Sequence, residues 1–316
     1  MLTVLLRRIG FSLLSLVFVS AVLFALTRAI PDSPARIVLG TDVTQAQIKQ
    51  FEHDHGLDKP IVAQYVSWLD GIFIRGTLGT SFITGRPVGP DIVSTLPVTL
   101  ELVVEAFVLA LILSIAFGTI SALLRDTILD YAVRLVAVLG VSIPGFWAAL
   151  LLIMLLAVDH DWFPPGGFQP WSAGIGAHLD SIALPVFCLG IFYMAVLSRM
   201  TRSSLLEVLG LDYMRTARAA GLPRRTVLIY ALRNALVPVI TVAGMSFGYM
   251  FGWALIIESV FNISGLSYAL LTAIQQRDFT LVQGIVMVFT FIFIVANLVA
   301  DMTNMSLNPR LTAVSK

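Results

Sequence analysis

The chain has 316 residues, of which 58% are hydrophobic and only 12% are charged, and its formal net charge is +1. Soluble domains carry roughly 45–50% apolar and about 25% charged residues. The composition therefore excludes an ordinary soluble enzyme, a disordered tail and a protein with a basic nucleic-acid-binding face, and it predicts a polytopic membrane protein.

Six charge-free stretches are long enough to cross a bilayer, which takes about 20 consecutive, mostly apolar residues. In chain order they cover residues 9–27, 106–124, 135–158, 181–198, 234–257 and 279–300. Two more, 162–179 and 259–276, are unsuited to lipid, because the first holds three prolines and the second is rich in Ser, Asn, Thr and Gln. The predicted fold class is an all-α membrane protein with six transmembrane helices.

The first stretch follows Arg7 and Arg8, as the core of a signal peptide would. Its apolar part is longer than the roughly 7–15 residues of a signal peptide, and no clear cleavage site follows it. We therefore expect it to remain as an uncleaved first helix.

Basic residues are unevenly divided between the two sides that six spans would create. The side of the N-terminus collects 13 of the 20 Lys and Arg residues, Arg310 and Lys316 among them, and five acids, whereas the other side has seven basic and 14 acidic residues. Because cytoplasmic loops carry the excess of Lys and Arg, both termini are predicted to be cytoplasmic.

The segment between the first two spans is long enough to have structure of its own. Residues 44–55 are predicted to form a helix with Thr44 as its N-cap and Gly56 as its C-cap, and residues 60–73 to form an amphipathic helix. The chain is thereby divided into an N-terminal segment with the first span (1–30), an extracytoplasmic segment with short helices (31–96) and a five-helix core (97–316).

The cytoplasmic segment at about 199–235 is more than a simple connection. It carries seven arginines, yet apolar residues from Leu205 through Tyr213 to Ala220 recur at helical spacing before Gly221 and Pro223 break the helix. The small residues beside this turn allow another backbone to approach closely. This pattern predicts a docking surface for a partner.

The same segment resembles a known family. The run DYMRTARAAGLP at 212–223 and its continuation ALRNALVPVIT at 231–241 resemble the cytoplasmic EAA loop of binding-protein-dependent ABC importer permeases, above all the dipeptide/oligopeptide/nickel group. Further agreement lies in GLDKP (56–60), GTSF (79–82), LPVTLE (96–101), SIPGFW (142–147) and ESVF (258–261). The resemblance extends in order over about residues 1–310, although Arg215 stands where the short consensus has Glu.

This resemblance implies the type I ABC importer permease fold and a set of partners. These are a second homologous permease subunit, two ATP-binding subunits or domains that hold ATP and Mg, an extracytoplasmic solute-binding protein and the lipid bilayer, with no nucleic acid. It also implies that the cytoplasmic turn docks on the ATPase and couples ATP hydrolysis to transport. The coupling residues would be Asp212, Tyr213, Arg215, Thr216, Ala217, Ala220, Gly221 and Leu222.

A second set of residues is predicted to line the translocation pathway or its gate. They are Glu101, Pro144, Phe146, Trp147, Met245, Phe251 and Glu258. Each has an alternative explanation. It is a stabilising carboxylate at a helix N-terminus just after Pro97 for Glu101 and Glu105, and a kink packed against a neighbour for Pro144, Phe146 and Trp147. It is core packing for Met245 and Phe251, and a capped surface loop for Glu258. Charges in or near spans are functional candidates by default, so both interpretations stay open.

Catalytic and metal sites are not predicted. His53 and His55 stand two residues apart, which places them on different faces of a helix. The chain also lacks the Gly-x-x-x-x-Gly-Lys-Ser/Thr loop that binds nucleotide phosphates, so no cofactor is expected in this chain.

The function predicted is that of a permease subunit of an ATP-driven importer in a bacterial or archaeal cytoplasmic membrane, with di- or oligopeptides as the substrate. Nickel or another small solute is an alternative within the same family. A secondary transporter would need charges within its spans and inverted repeats, neither of which is evident. A membrane enzyme would need acid, base or metal ligands at one depth.

Overall fold

The computed structural model describes residues 2–29, 34–40 and 43–307. These residues form twelve α-helices and no extended strand. The helices are α1 (Leu2–Ala29), α2 (Pro34–Leu39), α3 (Gln45–Asp54), α4 (Ile61–Phe73), α5 (Val88–Leu123), α6 (Ile128–Ser142), α7 (Gly145–Leu152), α8 (Ile175–Gly210), α9 (Asp212–Ala219), α10 (Arg224–Val260), α11 (Leu266–Gln275) and α12 (Phe279–Leu307). The predicted all-α class is confirmed. Arg310 and Lys316, which entered the prediction of orientation, lie outside the described residues.

The chain divides into two compact units. The core unit comprises Met1–Leu5, Val98–Ser264 and Ile292–Lys316, and the N-terminal unit comprises Leu6–Pro97 and Gly265–Phe291.

Five of the described helices are long and apolar enough to cross a membrane: α1, α5, α8, α10 and α12. The predicted third span at 135–158 is not one straight helix, because α6 ends at Ser142 and the chain bends by 104° before α7 begins at Gly145. The ring of Pro144 disfavours helical backbone at Ile143, which is extended with φ −83° and ψ 125°. A π-helical turn, Ile153–Val158, follows α7. The described residues thus contain five candidate spans, or six if this bent pair counts as one.

The long helices extend beyond the apolar stretches that predicted them. Helix α5 begins at Val88, well before residue 106, and α8 runs on to Gly210, beyond residue 198. The charged residues near the start of α5 and near the end of α8 therefore lie on the same helices as the apolar stretches. The stretch at 259–276, judged unsuited to a span, contains only the ten-residue helix α11.

The N-terminal unit confirms both short helices predicted for its sequence. Thr44 accepts a hydrogen bond from the backbone N–H of Gln47, whose side chain accepts one from the backbone of Thr44, so α3 begins with a capping box. His55, rather than Gly56, is the C-cap, and Gly56 follows it with φ +65° because glycine adopts this conformation without steric cost. The α1 and α4 helices are joined by a hydrogen bond of 2.8 Å between the hydroxyls of Ser20 and Tyr65.

Helix α8 is the centre of the core unit, and it is the most buried of the candidate spans. Helices α6, α7, α9 and α10 pack against it. Glycines also allow α5 to approach α8 closely: a Cβ at Gly118 would lie 2.6 Å from the Cβ of Thr201, and one at Gly190 would lie 3.0 Å from the carbonyl oxygen of Ala106. The backbones of α5 and α8 therefore lie so close that a Cβ has no room at Gly118 and little room at Gly190.

Candidate functional site

The predicted coupling segment forms the short helix α9 between the two long helices α8 and α10. Helix α8 ends where Leu211 takes an extended conformation with ψ 149°, and α9 starts at the next residue. Gly221, with φ +76°, and Pro223 then separate α9 from α10. Asp212 in its first turn and Arg218 in its last turn complement the helix dipole.

One residue anchors α9 to the core unit. Met214 is fully buried in a cluster with Leu205 of α8 and with Val227, Ala231 and Ala235 of α10. The Arg218 guanidinium also donates a hydrogen bond of 2.5 Å to the carbonyl oxygen of Leu209. The buried Met214 side chain thus fixes one side of α9, and the hydrogen bond from Arg218 to the Leu209 backbone fixes its end.

The predicted coupling residues lie mainly on the other, exposed face. Seven of the eight are exposed, and Ala217 is half-buried. The sequence analysis placed Tyr213 on the apolar side and missed Met214. That assignment is wrong because the extended Leu211 interrupts the helix, so the periodicity that starts at Leu205 does not continue into α9.

The predicted pathway residues are only partly brought together. Pro144 and Phe146, at the break between α6 and α7, line a cavity of about 210 Å³ together with Tyr193 of α8 and Trp253 of α10. The Tyr193 hydroxyl is buried there without a hydrogen-bond partner. Sequence reasoning missed this tyrosine, whose only signal was an OH group within an apolar stretch.

The other candidates lie elsewhere in the core unit. Trp147 and Met245 are exposed and do not line this cavity, and Phe251 is buried against the ring of Phe247. Glu258 is fully buried near the end of α10, where its carboxylate accepts a hydrogen bond of 2.5 Å from the hydroxyl of Thr99. A capped surface loop is therefore wrong for Glu258, because its side chain is inside the unit.

Glu101 and Glu105 lie next to a buried histidine. The Nε2 atom of His178 is 3.5 Å from Oε1 of Glu101 and 3.8 Å from Oε1 of Glu105. The interpretation of the two glutamates as N-terminal charges is wrong, because α5 begins at Val88 and Pro97 lies inside the helix. The helix dipole acts within the first turn, which Glu101 is far beyond.

A fully bonded carboxylate lies at another point of the core unit. Asp130, in the first turn of α6, is completely buried and accepts two hydrogen bonds of 2.9 Å from the guanidinium of Arg202 on α8. It also accepts bonds from the hydroxyl of Ser121 (2.5 Å) and the backbone N–H of Asp126 (3.0 Å). Sequence reasoning missed this ion pair, because nothing local relates residues 130 and 202.

Comparison with known proteins decides the family. The profile of the binding-protein-dependent transport system inner membrane component matches residues 114–313. A profile for the N-terminal part of such membrane components matches residues 1–103. The chain belongs to this family. It is the membrane permease subunit of an ABC importer and not a catalytic enzyme, since ATP hydrolysis resides in a partner ATPase.

Named transport permeases from other bacteria match nearly the whole of this permease. A putative peptide transport system permease of Brucella suis is 36% identical over 98% of this chain and 99% of its own length. An oligopeptide transport system permease of Bacillus subtilis is 36% identical over 96% of this chain and 98% of its own length. A glutathione transport system permease of Escherichia coli is 35% identical over 93% and 94%. These matches and the apolar helices identify a multi-pass protein of the inner membrane.

Proposed function

We propose that this permease forms half of the translocation pathway of an ATP-driven peptide importer and pairs with a second, different permease of the same fold. The pathway would be completed by two ATP-binding subunits or domains, which hold ATP and Mg, and by a solute-binding protein that delivers the substrate. In this proposal the bent pair α6–α7 counts as the sixth span, both termini are cytoplasmic and the fold is that of a type I importer. The excess of basic residues beside the predicted cytoplasmic ends supports the orientation.

The observation that carries the proposal is the anchored and exposed helix α9. A coupling element must receive a push from a partner and pass it on without bending. The exposed face of α9 offers Tyr213 to a partner and the turn after it offers Leu222, while Met214 ties the helix to both α8 and α10. A displacement of α9 would therefore reach both long helices at once.

The same two helices supply walls of the core-unit cavity. Tyr193 lies on α8 and Trp253 on α10, opposite the break at Pro144. A push on α9 that shifts α8 against α10 would change the shape of this cavity. This provides a physical route from ATP-driven closure of the ATPase to alternating access in the permease.

Peptides are the proposed substrate because the names of several relatives specify peptide or oligopeptide transport. Glutathione, which one relative's name gives, is itself a small peptide. Nickel or another small solute is the alternative within the dipeptide/oligopeptide/nickel group. An ion-gradient-driven mechanism is the alternative of a different class.

Co-purification tests the docking of α9 on the ATPase. Gly221→Arg adds a long charged side chain to the exposed turn, and Gly76→Arg is a matched control because Gly76 also has positive φ (+65°) and open space around it. Tagged parent permease and Gly76→Arg should retain the ATPase in mild detergent, whereas Gly221→Arg should lose it. Tyr213→Ala, which introduces no backbone strain, should weaken recovery in the same direction. Equal recovery of the ATPase with all four proteins would refute the docking proposal.

Uptake tests the substrate and the energy source. The complete complex, with its binding protein, is reconstituted in liposomes and supplied with a labelled tripeptide or with ⁶³Ni²⁺. ATP-dependent accumulation of the peptide supports the proposal, and accumulation of nickel alone would replace it. Uptake that follows a proton or sodium gradient without ATP would favour a secondary transporter.

A further inference from the structure

Three side chains of the core unit converge within ion-pair distance and without a hydrogen bond between them. Glu101 and Glu105 stand one turn apart on α5, and His178 lies in the first turn of α8. One possible metal-ligand atom from each residue, a ring nitrogen or a carboxylate oxygen, lies within 4.8 Å of the other two. His178 is completely buried, whereas the glutamate side chains are 22% and 29% exposed, so the cluster is closed behind the imidazole and open at the carboxylates.

The imidazole is held in one orientation. Its Nδ1 atom is 2.7 Å from the carbonyl oxygen of Gln169, and because a carbonyl oxygen only accepts, Nδ1 must carry the proton. The ring is stacked on Trp171 at 3.9 Å and contacts the edge of Phe168, and the Trp171 indole donates a hydrogen bond to Glu101. A histidine whose Nδ1–H is bound to a backbone carbonyl is oriented as metal-ligating histidines are.

The remaining ring nitrogen is buried without a hydrogen bond. Nε2 of His178 has no partner within hydrogen-bonding geometry, although both carboxylates face it at 3.5 and 3.8 Å. Buried polar atoms nearly always have a partner, so this one requires an explanation. In its neutral form the nitrogen directs a lone pair toward two carboxylates, an arrangement that a metal cation between them would stabilise and that otherwise requires a proton on Nε2.

The distances suit a metal ion. With metal–ligand bonds of about 2.0–2.2 Å, two ligand atoms of a tetrahedral site are separated by about 3.4 Å. We propose that Glu101, Glu105 and His178 bind a divalent first-row transition cation such as Zn²⁺, with one nitrogen and two oxygen ligands and a position left for solvent. The two carboxylates neutralise the charge of the ion. The bound cation would link α5 to the start of α8.

Spectroscopy tests this site without any transport assay. The complete complex is stripped with EDTA and titrated with Co²⁺, whose visible absorption reports coordination by nitrogen and oxygen ligands, and Zn²⁺ is then added as competitor. The parent complex should bind one Co²⁺ at this site per copy of this chain, and Zn²⁺ should displace it. His178→Gln should weaken the binding by at least about 10-fold, since even outer-shell changes at metal sites have effects of that size.

His160 provides the matched control. It precedes α8 on the same connection, and its Nδ1 is likewise 2.7 Å from a backbone carbonyl, that of Leu155, but its ring is exposed. His160→Gln should leave Co²⁺ binding unchanged. Glu105→Gln, at a half-exposed position, tests the site with little risk to folding and should also weaken binding.

Two results would overturn the proposal. One is the lack of saturable Co²⁺ binding by the parent complex up to about 100 μM, which would leave an ordinary interaction between a histidine and two acids. The other is unchanged binding in both His178→Gln and Glu105→Gln. If His178→Gln alone fails to assemble by size-exclusion chromatography, the result with Glu105→Gln decides.

Discussion

Two carboxylate sites of the core unit differ in how completely their polar atoms are hydrogen-bonded. Asp130 is bound by Arg202, Ser121 and a backbone N–H, so its oxygens have all the partners that they need. Glu101 and Glu105 are partly exposed, and the buried imidazole nitrogen that they face has no hydrogen bond. Both sites join a neighbouring helix to α8.

The difference separates structural from binding chemistry. A buried charge that is fully paired keeps its partners in place, and removing one of them leaves an uncompensated charge. In the second cluster, the lone pair of a buried nitrogen points at two carboxylates and has no hydrogen bond, so the cluster can bind a further ligand. The degree of hydrogen-bond saturation, and not the mere presence of charge near a span, therefore distinguishes the two roles.

The largest effect is expected for Asp130→Asn. The substitution leaves the Arg202 guanidinium, whose side chain is 20% exposed, without its counter-charge. We expect a loss of about 3 kcal/mol in stability, measured as a lower thermal midpoint of the detergent-solubilised complex. Asp126→Asn is the control, because that side chain is 66% exposed and should change stability by less than about 0.5 kcal/mol. Similar midpoints for the two variants would show that the buried pair of Asp130 and Arg202 stabilises the fold no more than an exposed carboxylate does.

The next effect concerns the close approach that brings α5 to the Asp130 site. Gly118 lies three residues before Ser121, and a Cβ there would be 2.6 Å from Thr201 Cβ and 2.7 Å from the Ser198 carbonyl oxygen. Gly118→Ala should therefore cost about 1–3 kcal/mol by overpacking, as judged by the same thermal measurement. Gly89→Ala, near the start of the same helix with open space around it, should be neutral or slightly stabilising. An equally neutral Gly118→Ala would show that the two helices separate easily.

A smaller effect is expected for Glu101→Gln in metal-free protein. The side chain is partly exposed, and the Trp171 indole still finds an amide oxygen as acceptor. Stability should change by less than about 1 kcal/mol. A loss as large as that of Asp130→Asn would instead identify Glu101 as a structural ion-pair partner and erase the contrast between the sites.

The smallest effect is expected for an exposed pair in the N-terminal unit. The hydrogen bond and charge of Asp58, 2.9 Å from Nδ1 of His53, raise the pKa of that histidine. Since the raised pKa belongs to the folded state, the pair stabilises below about pH 6.5 and this contribution is lost as the pH rises through the pKa of folded His53. Asp58→Asn should lower the pKa of His53 toward about 6.5 in an NMR titration. Asp54→Asn should lower it less, and the reverse order would contradict the assignment.

Local features of this protein were predictable because neighbouring residues determine them. The capping box of Thr44 and Gln47 acts over three residues, and the break at Pro144 arises from one ring and the residue before it. The same holds for the exposed turn at Gly221, where a positive φ favours glycine. The start of α5 was misjudged because Pro97 suits a first helical turn, yet the membrane helix continues through it.

The order of residues alone established the membrane class, the apolar stretches behind the long helices, the position of the α9 turn and the resemblance to importer permeases. The packing of distant segments was needed to show that Met214 anchors α9, that Arg202 neutralises Asp130 and that His178 faces two glutamates. The physical reason is the range of the forces involved. Helix propensity and capping act over one turn, whereas pairing between α5, α6 and α8 depends on how distant segments pack, which no local pattern encodes.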